Sequence, residues 1–162
     1  MVISFISKDR PGLVDILSKA IKQHKGNWQT SSLHHLSGFF TGVLEIAVEK
    51  DQCEALINAI TTLPGFKINI EQTTPESTNN KADIVLELTA NDREGIVQEI
   101  SSVIHHQGGN MIKLVSTQDN APHTGQALFK AKVTLSVNDE QTDSLINALE
   151  NLADDLMVDI SR

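Results

Sequence analysis

The chain contains an internal duplication, and this feature restricts its fold more than any other. The segment Asp-Arg-Pro-Gly-Leu-Val at residues 9–14 returns as Asp-Arg-Glu-Gly-Ile-Val at residues 92–97, which lies 83 residues further on. A Gly-Asn pair at residues 26–27 returns at residues 109–110 with the same spacing. Two unrelated motifs repeated at one spacing indicate two copies of one structural unit.

The spacing between the copies increases towards the C-terminus. The apolar segments 56–60 and 145–149 are 89 residues apart, six more than the first motifs. The second copy therefore contains an insertion, which we expect near residues 119–125. A stretch rich in Pro, Ser, Thr and Asn separates the copies and is typical of an exposed linker. The predicted division is module 1 over 1–72, a linker over 73–81 and module 2 over 82–162.

Each copy shows the pattern β-α-β-β-α-β. Apolar residues alternate in its first strand and recur at helical spacing in two later segments. This order predicts the α+β class and two ferredoxin-like modules, each with two helices on one face of an antiparallel sheet. We expect the modules to pack side by side into one eight-stranded sheet, because a domain of about 75 residues buries only a modest core.

The ends of the first helix in each copy are predicted from residue type. An aspartate is expected to cap the helix N-terminus, followed by Pro11 or Glu94 in the first turn. A glycine is expected in the left-handed conformation after the last turn. The predicted caps are Asp9 and Asp92 at the start, and Gly26 and Gly109 at the end.

Charge and cysteine content exclude several classes of protein. The formal net charge is −8 over 162 residues, which disfavours direct contact with nucleic acid or with an anionic membrane surface. No apolar stretch approaches the roughly 20 residues that span a bilayer, and residues 1–6 lack the basic start of a secretory signal. The single cysteine, Cys53, cannot form an internal disulfide, so we expect a reducing cytoplasm.

The strand–Asp-Arg-x-Gly–helix–Gly-Asn–strand pattern, present twice, resembles the ACT domain, a small ligand-binding regulatory module of amino-acid metabolism. Two such modules in a short chain resemble the glycine cleavage system transcriptional repressor family. The resemblance implies an allosteric sensor of a small amino acid such as glycine or serine. It also implies control of transcription through a separate DNA-binding regulator, without direct contact to nucleic acid.

The resemblance also implies a position for the ligand, at the junction of two modules. Loop residues of one module would act with the first asparagine of the other module's second strand. Independently, a helix N-terminus offers free N–H groups to a carboxylate. The replacement of Pro11 by Glu94 predicts unequal affinity of the two sites. The implied sites are Asp9, Arg10, Gly12 and Leu13 with Asn110, and Asp92, Arg93, Gly95 and Ile96 with Asn27.

Each of these residues also has a purely structural interpretation. The aspartates would serve as caps, the glycines would allow close helix–strand packing, the asparagines would shape turns and the arginines would be solvated cations. The sequence does not decide between the two interpretations.

No catalytic, metal or cofactor site is expected. The motifs Gly-x-Ser-x-Gly, Gly-x-Gly-x-x-Gly, Cys-x-x-Cys and His-Glu-x-x-His are absent from the sequence. Adjacent histidines such as His34 and His35 diverge in a strand, so they cannot share one ion. Asp154 and Asp155 are interpreted as solubility charges, and Trp28 is expected to pack where the modules meet.

Two other functions compete with the sensor hypothesis. The chain could be an interaction scaffold without ligand, which pairs with other chains through its sheet edges and faces. Alternatively, it could be the detached regulatory module of a metabolic enzyme, such as formyltetrahydrofolate deformylase. Open edge strands also favour a homodimer.

Overall fold

The computed structural model describes residues 1–72, 83–122 and 124–161 and confirms the predicted order of elements. The chain divides into two compact units, Met1–Ser77 and Thr78–Arg162, each described by itself below. The predicted linker, 73–81, lies outside the described residues. The elements are β1 (Val2–Lys8), α1 (Leu13–Gln23), β2 (Asn27–Leu36), β3 (Phe39–Ala47), α2 (Lys50–Thr61), β4 (Phe66–Glu71), β5 (Asp83–Asn91), α3 (Ile96–His106), β6 (Asn110–Asn120), β7 (Ala127–Ser136), α4 (Asp139–Glu150) and β8 (Met157–Ser161).

Module 1 is an antiparallel sheet with both helices on one face. Its strand order is β2-β3-β1-β4, so the first strand pairs with the third and with the last. Alternate residues of β1 are buried, because Ile3 and Phe5 point towards the helices. They share one core cluster with Leu17 of α1 and Leu56 of α2. This is the predicted ferredoxin-like arrangement.

Module 2 repeats this arrangement with the order β6-β7-β5-β8 and a separate core. Leu86 and Leu88 take the places of Ile3 and Phe5. The predicted insertion lies in the hairpin between β6 and β7, because Asp119 pairs with Leu128 where module 1 pairs Leu36 with Phe39. The extra residues therefore lengthen the hairpin tip and leave the sheet register unchanged.

The left-handed residue at the end of α1 and α3 differs from the prediction. Gly26 and Gly109 do not have positive φ; the preceding residues do, Lys25 with φ 56° and Gly108 with φ 74°. The N–H of Gly26 donates to the carbonyl of Ile21 at 2.9 Å, and the N–H of Lys25 donates to the carbonyl of Lys22 at 3.1 Å. This pair of bonds forms a Schellman motif, in which the left-handed position comes one residue before the predicted one.

The repeated glycine is required by close packing instead. A Cβ atom on Gly26 would lie 2.8 Å from Cγ2 of Ile21 and 3.2 Å from Cγ2 of Ile46. On Gly109 it would lie 3.0 Å from Cγ2 of Ile104. The chain passes so near the end of the helix that only glycine fits without displacing core side chains.

Several expectations concern the relation between the modules. Side-by-side packing, a continuous eight-stranded sheet and the homodimer stay predictions. Trp28 is half-buried and packs against the core of its own module. Among the described residues, no helix is long and apolar enough to cross a membrane.

Candidate functional site

The two Asp-Arg-x-Gly loops connect β1 to α1 and β5 to α3, and both share one backbone conformation. Each ends at a left-handed glycine that precedes the helix, Gly12 with φ 86° and Gly95 with φ 84°. The prediction that Asp9 and Asp92 cap the helices is therefore wrong. The prediction that Pro11 and Glu94 lie in the first helical turn is also wrong, because both residues precede the glycine. The glycine directs the chain into the helix three residues after the aspartate, beyond the reach of its side chain.

The start of α1 leaves N–H groups free for a ligand. The first intrahelical bond runs from the N–H of Ile16 to the carbonyl of Gly12 at 2.9 Å. The N–H groups of residues 13–15 therefore have no acceptor within the helix. The side chain of Leu13 is buried, so only its backbone N–H is available to a ligand.

The charged side chains of the module 1 loop are exposed and loosely held. Nη2 of Arg10 donates to the carbonyl of Pro64 at 3.3 Å. The carboxylate of Asp9 lies 3.5 Å from Nε2 of His35, and the Asp9 N–H donates to the carbonyl of Gly38 at 3.0 Å. Within the part of the chain that the structure describes, no carboxylate pairs with Arg10. Its guanidinium can therefore turn towards an added anion.

A cavity of about 160 Å³ opens directly on this loop. Its apolar wall includes the ring of Phe40 on β3. The lining residues are Asp9, Arg10, Gly12, Leu13, Val14, Asp15 and Phe40.

The module 2 loop holds its arginine tightly. Nη2 of Arg93 lies 2.6 Å from Oε2 of Glu99, and Nη1 lies 3.8 Å from Oδ1 of Asp155. The same Asp155 accepts a hydrogen bond from the N–H of Asn91 at 2.8 Å. The carboxylate of Asp92 accepts a bond from the side-chain amide of Gln118. In this loop both charged residues of the motif are already engaged within the module.

The prediction that Asp155 is a solubility charge is wrong. It lies after α4 and before β8, half-buried, and it contacts both the end of β5 and Arg93. A signal was available, because the ferredoxin-like order places the loop before the last strand beside the end of the first strand. The same argument identifies Pro64 of module 1, whose carbonyl accepts a hydrogen bond from Arg10. It also identifies His35 and Gln118, which contact Asp9 and Asp92.

The predicted asparagines are not near the loop of their own module. Asn27 pairs with Ala47 at one end of β3, whereas Lys8, which precedes the loop, pairs with Phe39 at the other end. The nine residues of β3 separate these ends by about 26 Å. Asn110 likewise pairs with Ser136, far from Asn91 and its loop. Neither Asn27 nor Asn110 can therefore contact the Asp-Arg-x-Gly loop of its own module.

The charge around the two loops differs, since it is balanced in module 1 and negative in module 2. Lys8 and Arg10 balance Asp9 and Asp15 in module 1. In module 2, Arg93 is outnumbered by carboxylates on the loop, on α3 and at Asp155. Because unlike charges attract and like charges repel over these distances, the module 1 loop is the better receptor for a carboxylate.

Histidines form no shared site in the described structure. Nε2 of His34 lies 2.9 Å from Oγ of Ser32, whereas His35 faces Asp9 on the other side of β2. In residues 1–72, 83–122 and 124–161, no group of three or more His, Cys, Asp or Glu side chains converges in a way that could hold a metal.

The open face of the module 1 sheet, opposite the helices, forms a second concave surface. Its volume is about 620 Å³. Exposed apolar residues, Ile6 and Val43, lie among hydroxyl and amide side chains on this face. Module 2 carries Thr89 and Lys132 at the corresponding places, and Lys132 pairs with Glu87 at 3.0 Å.

Comparison with solved structures supports the fold. A crystal structure of a protein of unknown function from Galdieria sulphuraria aligns with a TM-score of 0.84 and 23% identity, over 99% of this chain and 97% of that one. A candidate glycine cleavage system transcriptional repressor aligns with a TM-score of 0.70 and 16% identity, over 99% and 96%. The chain has the tandem fold of both proteins. At these identities the likeness shows the fold alone.

The sequence comparisons gave no match. No protein-family model and no curated protein matches this sequence.

Proposed function

We propose that this protein is a non-catalytic regulator that senses a small amino acid through the Asp-Arg-x-Gly loop of module 1. The observation that carries the proposal is that one small cavity brings together the free N–H groups of α1 and Arg10, which pairs with no carboxylate among the described residues. A carboxylate would accept hydrogen bonds from both, with support from the positive end of the helix dipole. The carboxylate of Asp9 would attract the ammonium group.

We propose glycine or serine as the amino acid, in keeping with the small cavity on the loop. Val14 and Phe40 line it beside the polar groups, so a long charged side chain would lose its hydration there. In the tandem fold, Asn110 would complete the site from the neighbouring module. The mirror site at Asp92, Arg93, Gly95, Ile96 and Asn27 belongs to the same proposal as a weaker site.

The sensor would act in the cytoplasm by shifting a population of conformations. A ligand held by residues of two modules would favour one arrangement of those modules, and a partner protein would recognise that arrangement. We propose a DNA-binding transcription regulator as this partner, and glycine cleavage or one-carbon metabolism as the controlled pathway. The fold likeness to the candidate repressor and the net charge of −8 support an indirect route to DNA.

The test is thermal unfolding of the purified chain in the presence of each common amino acid. A ligand at a hundred times its dissociation constant should stabilise the folded protein by about 2.7 kcal/mol. We expect this response with glycine or serine, and its loss in Arg10→Ala. Lys22→Ala is the matched control, because it removes a cation from the last turn of α1, at the opposite end of the helix from the loop.

A scaffold without ligand is the competing function, favoured by the exposed apolar residues on the open face of module 1. Absence of a thermal response to any amino acid would favour it. A double variant, Ile6→Ser with Val43→Ser, would then abolish partner binding, while a sensor would retain its ligand response.

A further inference from the structure

We propose that Asp155 is an internal ligand of the module 2 loop that makes its site the weaker one, so that the chain senses amino acids mainly through module 1. This inference rests on the proposed function and specifies which of the two sites responds. It follows from a position at which the otherwise similar modules differ.

The sheet register identifies the equivalent residues. Phe5 pairs with Ile68 in module 1, and Leu88 pairs with Val158 in module 2. Three residues before each partner lie Gly65 and Asp155. The loop before the last strand therefore presents a carboxylate in module 2 at the place where module 1 has no side chain.

The Asp155 carboxylate takes one of the contacts proposed for a bound carboxylate, the one with the arginine, and adds a hydrogen bond from the end of β5. Oδ2 accepts the N–H of Asn91 at 2.8 Å, and Oδ1 lies 3.8 Å from Nη1 of Arg93. Glu99 holds the other side of the same guanidinium at 2.6 Å. An incoming amino acid would have to displace an anion that is covalently attached and already positioned, which raises its effective concentration far above that of a free ligand.

Module 1 lacks both carboxylates. Gly65 replaces Asp155, and Ile16 stands 83 residues before Glu99, at the equivalent helix position. A Cβ atom on Gly65 would lie 3.9 Å from Nη2 of Arg10. A side chain at this position would thus reach the arginine, and its absence leaves Arg10 with only the Pro64 carbonyl as a partner among the described residues.

The test is an NMR titration of the full ¹⁵N-labelled chain with glycine, serine and acetate as a minimal carboxylate. In the wild type we expect shifts at the amides of residues 12–15 and smaller ones at residues 95–98. In Asp155→Ala both loops should respond, with the affinity of the module 2 loop raised at least roughly tenfold. Asp154→Ala is the matched control and should behave as the wild type.

A reciprocal variant tests the same idea in module 1. Gly65→Asp places a carboxylate beside Arg10 and should weaken ligand binding there by roughly tenfold. Gly65→Asn is its control, because it imposes the same backbone strain at φ +84° without the charge.

The outcomes separate this inference from the proposed function. Equal responses of both loops in the wild type would overturn the role of Asp155 and leave the sensor intact. A module 2 response only in Asp155→Ala, with none in module 1, would support the role of Asp155 and contradict the sensor. Silence of both loops in both proteins would contradict both proposals.

Hydrogen exchange gives a readout that needs no ligand. The Asn91 amide should exchange more slowly in the wild type than in Asp155→Ala, and equal rates would show that Asp155 does not occupy the loop. If Asp155→Ala fails to fold, Asp155→Asn serves instead, because it keeps an acceptor for Asn91 and removes the charge that pairs with Arg93.

Discussion

The two Asp-Arg-x-Gly loops have nearly identical backbones and different neighbours. Gly12 and Gly95 differ by only 2° in φ, since they stand at 86° and 84°. Arg10 contacts one carbonyl, whereas Arg93 lies between two carboxylates. Duplication has preserved the geometry that presents N–H groups, while single substitutions in adjoining elements decide whether the loop is open to a ligand.

The open sheet faces differ in a parallel way. Module 1 exposes Ile6 and Val43, whereas module 2 has the ion pairs Lys132–Glu87 and Lys130–Asp119 at 3.0 Å each, beside the exposed apolar residues Val115 and Met157. Among the described residues, the arginine of the motif and the open sheet face are thus held by ion pairs in module 2 and not in module 1. This division of roles can be tested one contact at a time.

The largest change in stability is expected at the glycine that both modules share after their first helix. Gly26→Ala and Gly109→Ala should each lower the free energy of unfolding of their module by about 2 kcal/mol, because the new methyl group overlaps a buried isoleucine. Denaturation followed by Trp28 fluorescence reports module 1, since this is the only tryptophan, and amide NMR signals report module 2. If Gly26→Ala unfolded at the same denaturant concentration as the wild type, the close packing at Gly26 would be contradicted.

The next largest change in stability is expected to differ between the two arginines of the motif. Arg93→Ala should lower the stability of module 2 by about 1 to 2 kcal/mol, because it leaves two half-buried carboxylates without their partner. Arg10→Ala should change the stability of module 1 by less than about 0.5 kcal/mol. The same denaturation measurements compare the pair. Equal losses would remove the distinction between a closed and an open loop.

A smaller effect concerns the end of α1. Lys25→Gly should stabilise module 1 by about 1 kcal/mol, because Lys25 has a left-handed conformation that glycine adopts without strain. The equivalent residue in module 2 is Gly108. Lys25→Ala is the control, because it removes the charge and keeps the strain. A gain of equal size in both variants, measured by Trp28 fluorescence, would indicate that charge is the cause.

The smallest effect is expected on the open faces. Lys132→Val copies the module 1 residue and breaks the exposed pair with Glu87, so stability should change by less than about 0.5 kcal/mol. Thermal unfolding at low and high salt provides the measurement. A loss above about 1 kcal/mol would show that this pair stabilises the sheet.

The fold could be predicted from the sequence because the repeat and the apolar spacing are local signals. The order of elements in each module and the strand starts at Asn27 and Asn110 are confirmed. The helix caps were not, because residue type alone cannot distinguish a glycine needed for left-handed backbone from one needed for close packing. Gly26 illustrates this, since its neighbour Lys25 adopts the unusual conformation.

The candidate site could be predicted only in part. The loop residues belong to one continuous motif, so their proximity follows from the chain. The contacts of Asp155 with Asn91 and of Glu99 with Arg93 depend on which loop of the sheet lies beside which strand end. Such contacts become visible only after the strand order is combined with side-chain position.

A crystal structure grown with glycine or serine would test the central claim most directly. The account predicts one ligand per chain, with its carboxylate against Arg10 and the N–H groups of residues 13–15, and an unchanged Asp155–Asn91 contact in module 2. A ligand bound against Arg93 with Asp155 displaced, or one bound away from both loops, would contradict it.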